Sequence, residues 1–395
     1  MARSKHIIYI QYTNPGGYPP LEHSSRILAD AGWQVLFLGT RAPGDPLRFP
    51  PHPNISVRYL SFWPGGWRQK LHYLYYCLWV LSRVVAWRPH WIYASDTLVS
   101  PAALVFSYFP WLRVLYHEHD SPGAPAGAFQ RTLLRARTHL ARRADCCVLP
   151  NRTRLERFLT ETGTLRDLFC VWNCPAVQDA GQPRGPANRM LYLLYHGSIV
   201  PERLPITIVR ALAALPDTVA LRVIGYETIG SPGYIAMLRK EANRLGVGAR
   251  LEVVGAVPRA DLMPWCRRSD IGLSLLPLEA WDANQRTMTG ASNKPFDYLA
   301  CGLPFLMSDL PDWHVMYGEP GYGLACDPRD PQSIACAIRG LLENPDLMRS
   351  MGEKGRQRIL ADWNYETAFE PVRRRLEALP ARAAAAYPVP TRTEP

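Results

Sequence analysis

At 395 residues the chain is longer than one ordinary hydrophobic core organises, and its length points to two domains of α/β size. Hydrophobic residues make up 47% and charged residues 20%, a balance that excludes a disordered or fibrous chain. The net charge of +11 is unevenly placed: residues 1–185 hold 21 Lys+Arg against 11 Asp+Glu, and the remainder 24 against 23. Lys5 and Lys70 are the only lysines of that basic half, so its charge is carried by arginine, the better partner for phosphate oxygens.

Taken in order, "HIIYIQ" (6–11) is a β-branched run, "YTNPGGYPP" a Gly/Pro loop, "LEHSSRILADAGW" a helix closing at Gly32, and "QVLFLG" the next strand. The start runs directly into a strand without an apolar leader stretch, which sets a cytoplasmic expectation. Further strands are predicted at 55–60, 90–95, 113–118, 146–150 and 169–173, separated by helical stretches. Such alternation is that of a parallel doubly wound sheet. Within it, the uncharged apolar core of "KLHYLYYCLWVLSRVVAW" runs only from Leu71 to Leu81, short of the ~20 residues that cross a bilayer. A buried crossover helix is the plainer expectation there. The alternative is a helix that also touches a membrane interface through Trp63, Trp67, Trp79 and Arg68.

"QDAGQPRGPANR" (178–189) is rich in Gly, Pro and polar residues and marks a linker. A second alternation follows it: strands at 190–197, 220–226, 250–255, 271–276 and 304–308, with helices near 203–214, 233–244, 260–269 and 294–302 and a helical region from 331 to 378. The expected organisation is an N-terminal domain over 1–180, a linker over 181–189 and a C-terminal domain over 190–362. A helix at 363–378 packs back on the first domain, and a tail at 379–395 has no core-forming pattern. The nine cysteines show no Cys-x-x-Cys pair and no His partner at zinc spacing, and are expected to be reduced, mostly buried thiols.

In open α/β sheets ligands sit outside the carboxyl ends of the strands. The residues just past the strands of the second half supply the parts of a nucleotide site. Gly197 and Ser198 in "HGSIVPER", and Gly225 in "GYE", permit close backbone approach. Arg203 and Lys294 can neutralise a diphosphate. The helix starting near Asn293 adds backbone N–H groups and its dipole. An acid one turn from that lysine would repel phosphate, so Asp297 is assigned to a ribose diol, from which a carboxylate can accept two hydrogen bonds. In the first half, "LYHEHDSPG" ends a strand with His117 and His119 on one face by alternation, His119 at the loop position facing the crevice. A histidine bonded to a neighbouring loop is the structural alternative. In "RTLLRARTHLARR", Arg131, Arg135 and Arg142 share one helix face, which reads as a solvated face or as a site for an anionic membrane surface or a phosphate-bearing lipid. No nucleic-acid recognition module is present, and no nucleic-acid partner is expected.

The combination of "YHGSIVPER", "GAVPRADLMPWCRRSDIGLSLLP", "NKPFDYLACGLPFLMSD" and "YTNPGGYPPLEHSSRILADAGWQVLFLG" resembles the family-4 glycosyltransferases over residues 6 to about 375. The resemblance implies a GT-B fold, in which two tandem Rossmann-like doubly wound domains enclose an interdomain cleft. It also implies retaining, metal-independent transfer of a sugar from a nucleotide-sugar donor, without a cofactor, to a glycan or polyprenol-linked acceptor in cell-surface glycan assembly. The family holds the nucleotide in its C-terminal domain and the acceptor in its N-terminal domain. By the same resemblance Gly16 and Gly17 form the loop that approaches donor phosphate and acceptor, His119 borders the donor sugar, and backbone around Val257 and Pro258 holds the base. Tyr93 and Asn173 fit the family as structural residues. Two departures stand out. The family's helix carries two glutamates eight positions apart; Asp297 matches the second, but the first falls on Thr289, with Asp282 and Glu279 as substitutes on the preceding loop. Ser198 stands where many members have arginine, leaving Arg203 and Lys294 as the basic pair. A catalytically degenerate partner subunit and a nucleotide-sugar epimerase are the alternatives within this fold. A Rossmann dehydrogenase is disfavoured because the first loop lacks G-x-G-x-x-G spacing and no acid ends the second strand.

Overall fold

The computed structural model describes residues 5–42, 45, 47–181, 190–228, 230–280 and 282–378. Nearly all of the expected linker and the whole of the expected tail lie outside these residues. The first sheet contains β1 (His6–Ile10), β2 (Gln34–Arg41), β3 (Ile55–Ser61), β4 (Trp91–Ser95), β5 (Arg113–His117), β6 (Cys146–Leu149) and β7 (Asp167–Cys170). Its order is β3-β2-β1-β4-β5-β6-β7. The second contains β8 (Leu191–Ile199), β9 (Val219–Glu227), β10 (Leu251–Val254), β11 (Ile271–Ser274), β12 (Phe305–Ser308) and β13 (Gly323–Cys326), in the order β10-β9-β8-β11-β12-β13. Every pairing between these strands is parallel. Strand order reverses between β1 and β4 and again between β8 and β11, the two points where such sheets bind ligands.

Parallel strands are covered by helices on both faces, which is why their sequences are continuous apolar runs. In β1, Ile8 and Ile10 join the core built with Tyr76, Val80 and Ala103, while Ile7 and Tyr9 join the opposite core with Leu21 and Leu28. That second core also receives Tyr365, Phe369, Val372 and Leu376 from the last helix, Tyr365–Ala378. The chain therefore returns from the second sheet to the first, and the Tyr365 N–H donates to the Pro175 carbonyl at 2.8 Å.

Three expectations change in detail. The helical region from 331 becomes three helices, Pro331–Leu342, Pro345–Ala361 and Tyr365–Ala378. Pro331 and Pro345 each take a helix's first turn, where a missing N–H is harmless. The strand expected at 169–173 begins at Asp167 and ends at Cys170, because Asn173 is drawn to the other unit: its N–H donates to Gly290 O at 3.1 Å and its Nδ2 to Ala291 O at 2.7 Å. Helix Trp67–Trp87 is not a buried crossover. It buries only Tyr76, Val80 and Val84 and leaves Trp67, Leu71, Leu74, Leu78 and Val85 exposed. No helix among the described residues is long and apolar enough to cross a membrane.

Candidate active site

The carboxyl ends of the two sheets face each other across a cavity of about 310 Å³. From the first unit it is lined by Gly16, Gly17, Tyr18, His119, Asp120 and Arg154, and from the second by His196, Gly197, Ser198, Arg203, Gly225, Val257, Asn293, Lys294 and Asp297. Of the residues assigned to donor binding or catalysis in the sequence, Gly16, Gly17, His119, Gly197, Ser198, Arg203, Gly225, Val257, Asn293, Lys294 and Asp297 line this cavity and Pro258 does not. Pro258 instead precedes helix Arg259–Arg267 as its N-cap, and Ala256 lines the cavity beside Val257.

The second-unit wall is formed by backbone in close approach. Gly197 and Gly225 are opposite one another in the β8–β9 ladder and have φ of 112° and 153°. A methyl group on Gly225 would fall 1.8 Å from the Gly197 carbonyl oxygen. Gly197 in turn lies against Lys294, whose Nζ would be 3.4 Å from a methyl placed there.

Lys294 occupies the first turn of helix Asn293–Ala300 and is 8% exposed, with its ammonium 5.2 Å from the centre of the Tyr195 ring. It forms no ion pair among the described residues. Burial, with Arg203 as a neighbouring positive charge, brings its pKa down to about 7. The Asn293 side-chain oxygen is buried without a partner beside it. An unpaired cation at a helix N-terminus constitutes an anion site.

Asp297 is 1% exposed and both of its oxygens are engaged. Arg259 donates Nη2 to Oδ1 at 2.8 Å and Nη1 to Oδ2 at 3.3 Å, and also reaches Asp179 at 2.9 Å. His196 Nε2 lies 3.6 Å from Oδ2. Burial first, then Lys294 and Arg259, hold the His196 pKa well below the usual range, so its ring is neutral. His196 and Arg259 escaped notice in the sequence although both stand inside quoted motifs, one residue before Gly197 and one after Pro258.

Across the cavity His119 is 7% exposed, with Nε2 lacking a partner, and its backbone N–H donates to Asp96 Oδ1 at 2.9 Å. Burial lowers its pKa against the opposing pull of Asp96 and Asp120, which keeps the ring neutral near pH 7. The His117 ring lies beside it, tilted by 41° with ring centres 3.9 Å apart, and is bonded to the Tyr93 hydroxyl.

The position expected to hold an acid faces elsewhere. The Thr289 hydroxyl donates to Asp312, and neither residue lines the cavity. Asp282 caps helix Ala283–Arg286 through Asn284 N and Gln285 N, and neither it nor Glu279 lines the cavity. Asp120 and Asp297 are the acids that do so among the described residues.

Two further residues hold the walls together. Asn151, at the N-cap of helix Arg152–Thr162, donates Nδ2 to Thr287 O at 2.7 Å and to Thr289 O at 2.8 Å. Arg154, 2% exposed, donates to the carbonyls of His119 and Asn284 and to the Thr287 hydroxyl. Their signal in the sequence was an N-cap residue directly after a strand, in "PNRTRLERF". No group of three or more His, Cys, Asp or Glu that could hold a metal ion occurs among the described residues.

This arrangement defines a class. Two doubly wound sheets facing across an anion-binding cleft make the GT-B fold, and solved structures that share it include sucrose-phosphate synthase from Thermosynechococcus elongatus and HepE from Anabaena in complex with UDP and glucose. The first superposes with a TM-score of 0.66 at 18% identity over 95% of this chain and 99% of its own. HepE gives 0.71 at 17% identity over 95% and 100%. A family model described as glycosyl transferase-like matches residues 206–372. The chain is also similar to glycogen synthase of Mycobacterium tuberculosis, 24% identical over 386 residues that cover 93% of this chain and 85% of the relative. These matches support a transferase enzyme of glycosyltransferase type.

Gly225→Ala is expected to destabilise the second unit by about 2–4 kcal/mol, from steric overlap added to backbone strain. Urea unfolding measures it, and an unchanged midpoint would show that β8 and β9 have room for a methyl group here.

Proposed function

We propose that the protein is a retaining family-4 glycosyltransferase that moves a sugar from a nucleotide-sugar donor to a carbohydrate or lipid-linked acceptor, without a metal, in cell-surface glycan assembly. The observation that carries this reading is the meeting of Lys294, Arg203 and the N-terminus of helix Asn293–Ala300 in one cavity. There they receive the diphosphate. As the acceptor oxygen bonds to the anomeric carbon, the bond from that carbon to the β-phosphate oxygen breaks. The departing oxygen takes the electron pair and then the acceptor's hydroxyl proton. The charge developing on that phosphate is stabilised by the two cations and the helix N–H groups. Asp297 keeps lone pairs beyond those given to Arg259, and these accept from the ribose diol. Neutral His119 borders the sugar, and backbone near Ala256 and Val257 meets the base.

A screen of UDP-, GDP-, ADP- and dTDP-linked sugars for nucleoside diphosphate release tests the reading. Turnover with one donor, unaffected by EDTA, and an α-linked product from an α-linked donor are expected. Thr289, turned away from the cavity, favours a second reading, a nucleotide-binding partner subunit without turnover. Tight UDP binding with no release from any donor would establish that reading instead.

The state of Lys294 sets a pH dependence. Bound diphosphate favours the ammonium form and raises its pKa. Below pH of about 7 the cation is already present; above it, binding must take up a proton, so affinity for UDP falls by up to roughly tenfold per pH unit. Calorimetry in buffers of different ionisation enthalpy reads the proton uptake. Lys294→Met is expected to weaken UDP binding at acidic pH by about 1.5–3 kcal/mol and to abolish the uptake.

The same proposal places the enzyme on the cytoplasmic face of an anionic membrane. On helix Trp67–Trp87, at ~100° per residue, the exposed Trp67, Leu71, Leu74, Leu78 and Val85 form one stripe with exposed Arg68 and Lys70 on its two sides. An apolar stripe flanked by cations suits the headgroup region. Sedimentation with phosphatidylglycerol vesicles, but not with phosphatidylcholine vesicles, is expected, and a Leu74→Glu, Leu78→Glu double variant should stay in the supernatant. Equal recovery of wild type and variant would remove the membrane from the proposal.

A further inference from the structure

We propose that a second cavity, of about 380 Å³ at the carboxyl ends of β4 and β5, holds the sugar ring of the acceptor, and that this ring is uncharged. The proposal rests on the transfer reaction above. The cavity adjoins the donor cavity, and Asp120 lines both. One residue before it, His119 lines the donor cavity with its Nε2 buried and without a partner, and a buried polar atom in that state calls for a ligand group.

The walls of this cavity are of two kinds. Leu98, Leu134 and Pro122 make an apolar side, and Asp96, Asp120 and Gln130 supply acceptor oxygens. A pyranose ring fits such a pair of walls, its C–H face on the apolar side and its hydroxyls donating to carboxylate and amide oxygens. No Lys, Arg or His lines the cavity. A phosphate or carboxylate on the ring would face two acids and no basic side chain among the lining residues, the Arg154 guanidinium 3.2 Å from Asp120 being already taken by that carboxylate. Among the arginines of the N-terminal half, Arg137 pairs with Glu118 and Glu161, Arg113 with Asp145, and Arg154 with Asp120 and the Asn284 carbonyl of the second unit.

Asp96 is held in place at a conformational cost. Its φ is 68°, a region that side-chain-bearing residues avoid at about 1–3 kcal/mol. Three hydrogen bonds keep it there: its N–H donates to His117 O at 2.9 Å, and its carboxylate accepts from His119 N at 2.9 Å and from Gln11 Nε2 at 3.3 Å. The rim is closed from the second unit, where Asn284 exchanges hydrogen bonds with the Ser121 N–H and carbonyl at 2.8 and 3.0 Å. The Asp96 carboxylate thus has a fixed position from which to orient an acceptor hydroxyl.

The test is direct binding of methyl glycosides of glucose, galactose, mannose and glucuronate to the full chain, with and without UDP, by ligand-observed NMR and calorimetry. A neutral glycoside should bind and the glucuronide should not. Leu134→Trp, which fills the cavity from its half-buried wall, should weaken the neutral glycoside by at least roughly tenfold and leave UDP affinity unchanged. Gln130→Lys, on the exposed rim, should confer binding of the glucuronide. Neutral glycoside binding that survives Leu134→Trp, a wild-type preference for the glucuronide, or UDP binding without any glycoside binding would each overturn the proposal. A chain that binds neutral glycosides here but no UDP would instead overturn the donor assignment and retain the cavity.

Discussion

The cleft has two walls because Asn151 and Arg154 hold them together. Both belong to the first unit, and both donate to the loop around residues 284–289 of the second. Buried carbonyls without partners are costly, and these two side chains satisfy several of them at once. Arg154 also accounts for the placement of His119, whose carbonyl it binds from behind. Removing that one guanidinium would take a bond from the histidine loop and from the second-unit loop together.

Within this enclosure the electrostatics are those of a site waiting for an anion. Lys294 is stripped of water and given Arg203, rather than a carboxylate, as its nearest strong influence, so its proton is loosely held. Asp297, one turn along the same helix, is kept from pairing with it by Arg259. The sequence places an acid and a base one turn apart, and the structure keeps them separate by supplying the acid with its own arginine. An empty cavity lined by a relaxed Lys294–Asp297 pair would offer a diphosphate much less.

Much of this was legible beforehand. Apolar runs of β-branched residues alternating with amphipathic stretches specify parallel sheets, and the rule that ligands gather at strand carboxyl ends then selects Gly197, Gly225, Lys294 and His119 with no knowledge of contacts. What was illegible is partnership across long sequence separation. That Arg259 belongs to Asp297, 38 residues away, and that Thr289 turns to Asp312, 23 away, depends on packing that no local pattern encodes. The short strand Gly323–Cys326 was missed because four residues carry too little periodicity. The exposed face of helix Trp67–Trp87 was misread because apolar side chains announce burial whether or not a neighbour exists to bury them.

The return of the last helix to the first sheet has a mechanical consequence. The chain passes between the units once near Cys174 and again near Asn364, and the two passages are joined by the bond from Tyr365 N to Pro175 O. Two crossings fastened side by side act as one hinge pin. Opening of the cleft is thereby reduced from a free separation to a jaw-like swing, and substrate entry costs the contacts across the lips, where Asn284 meets Ser121 and Asn151 and Arg154 reach residues 284–289.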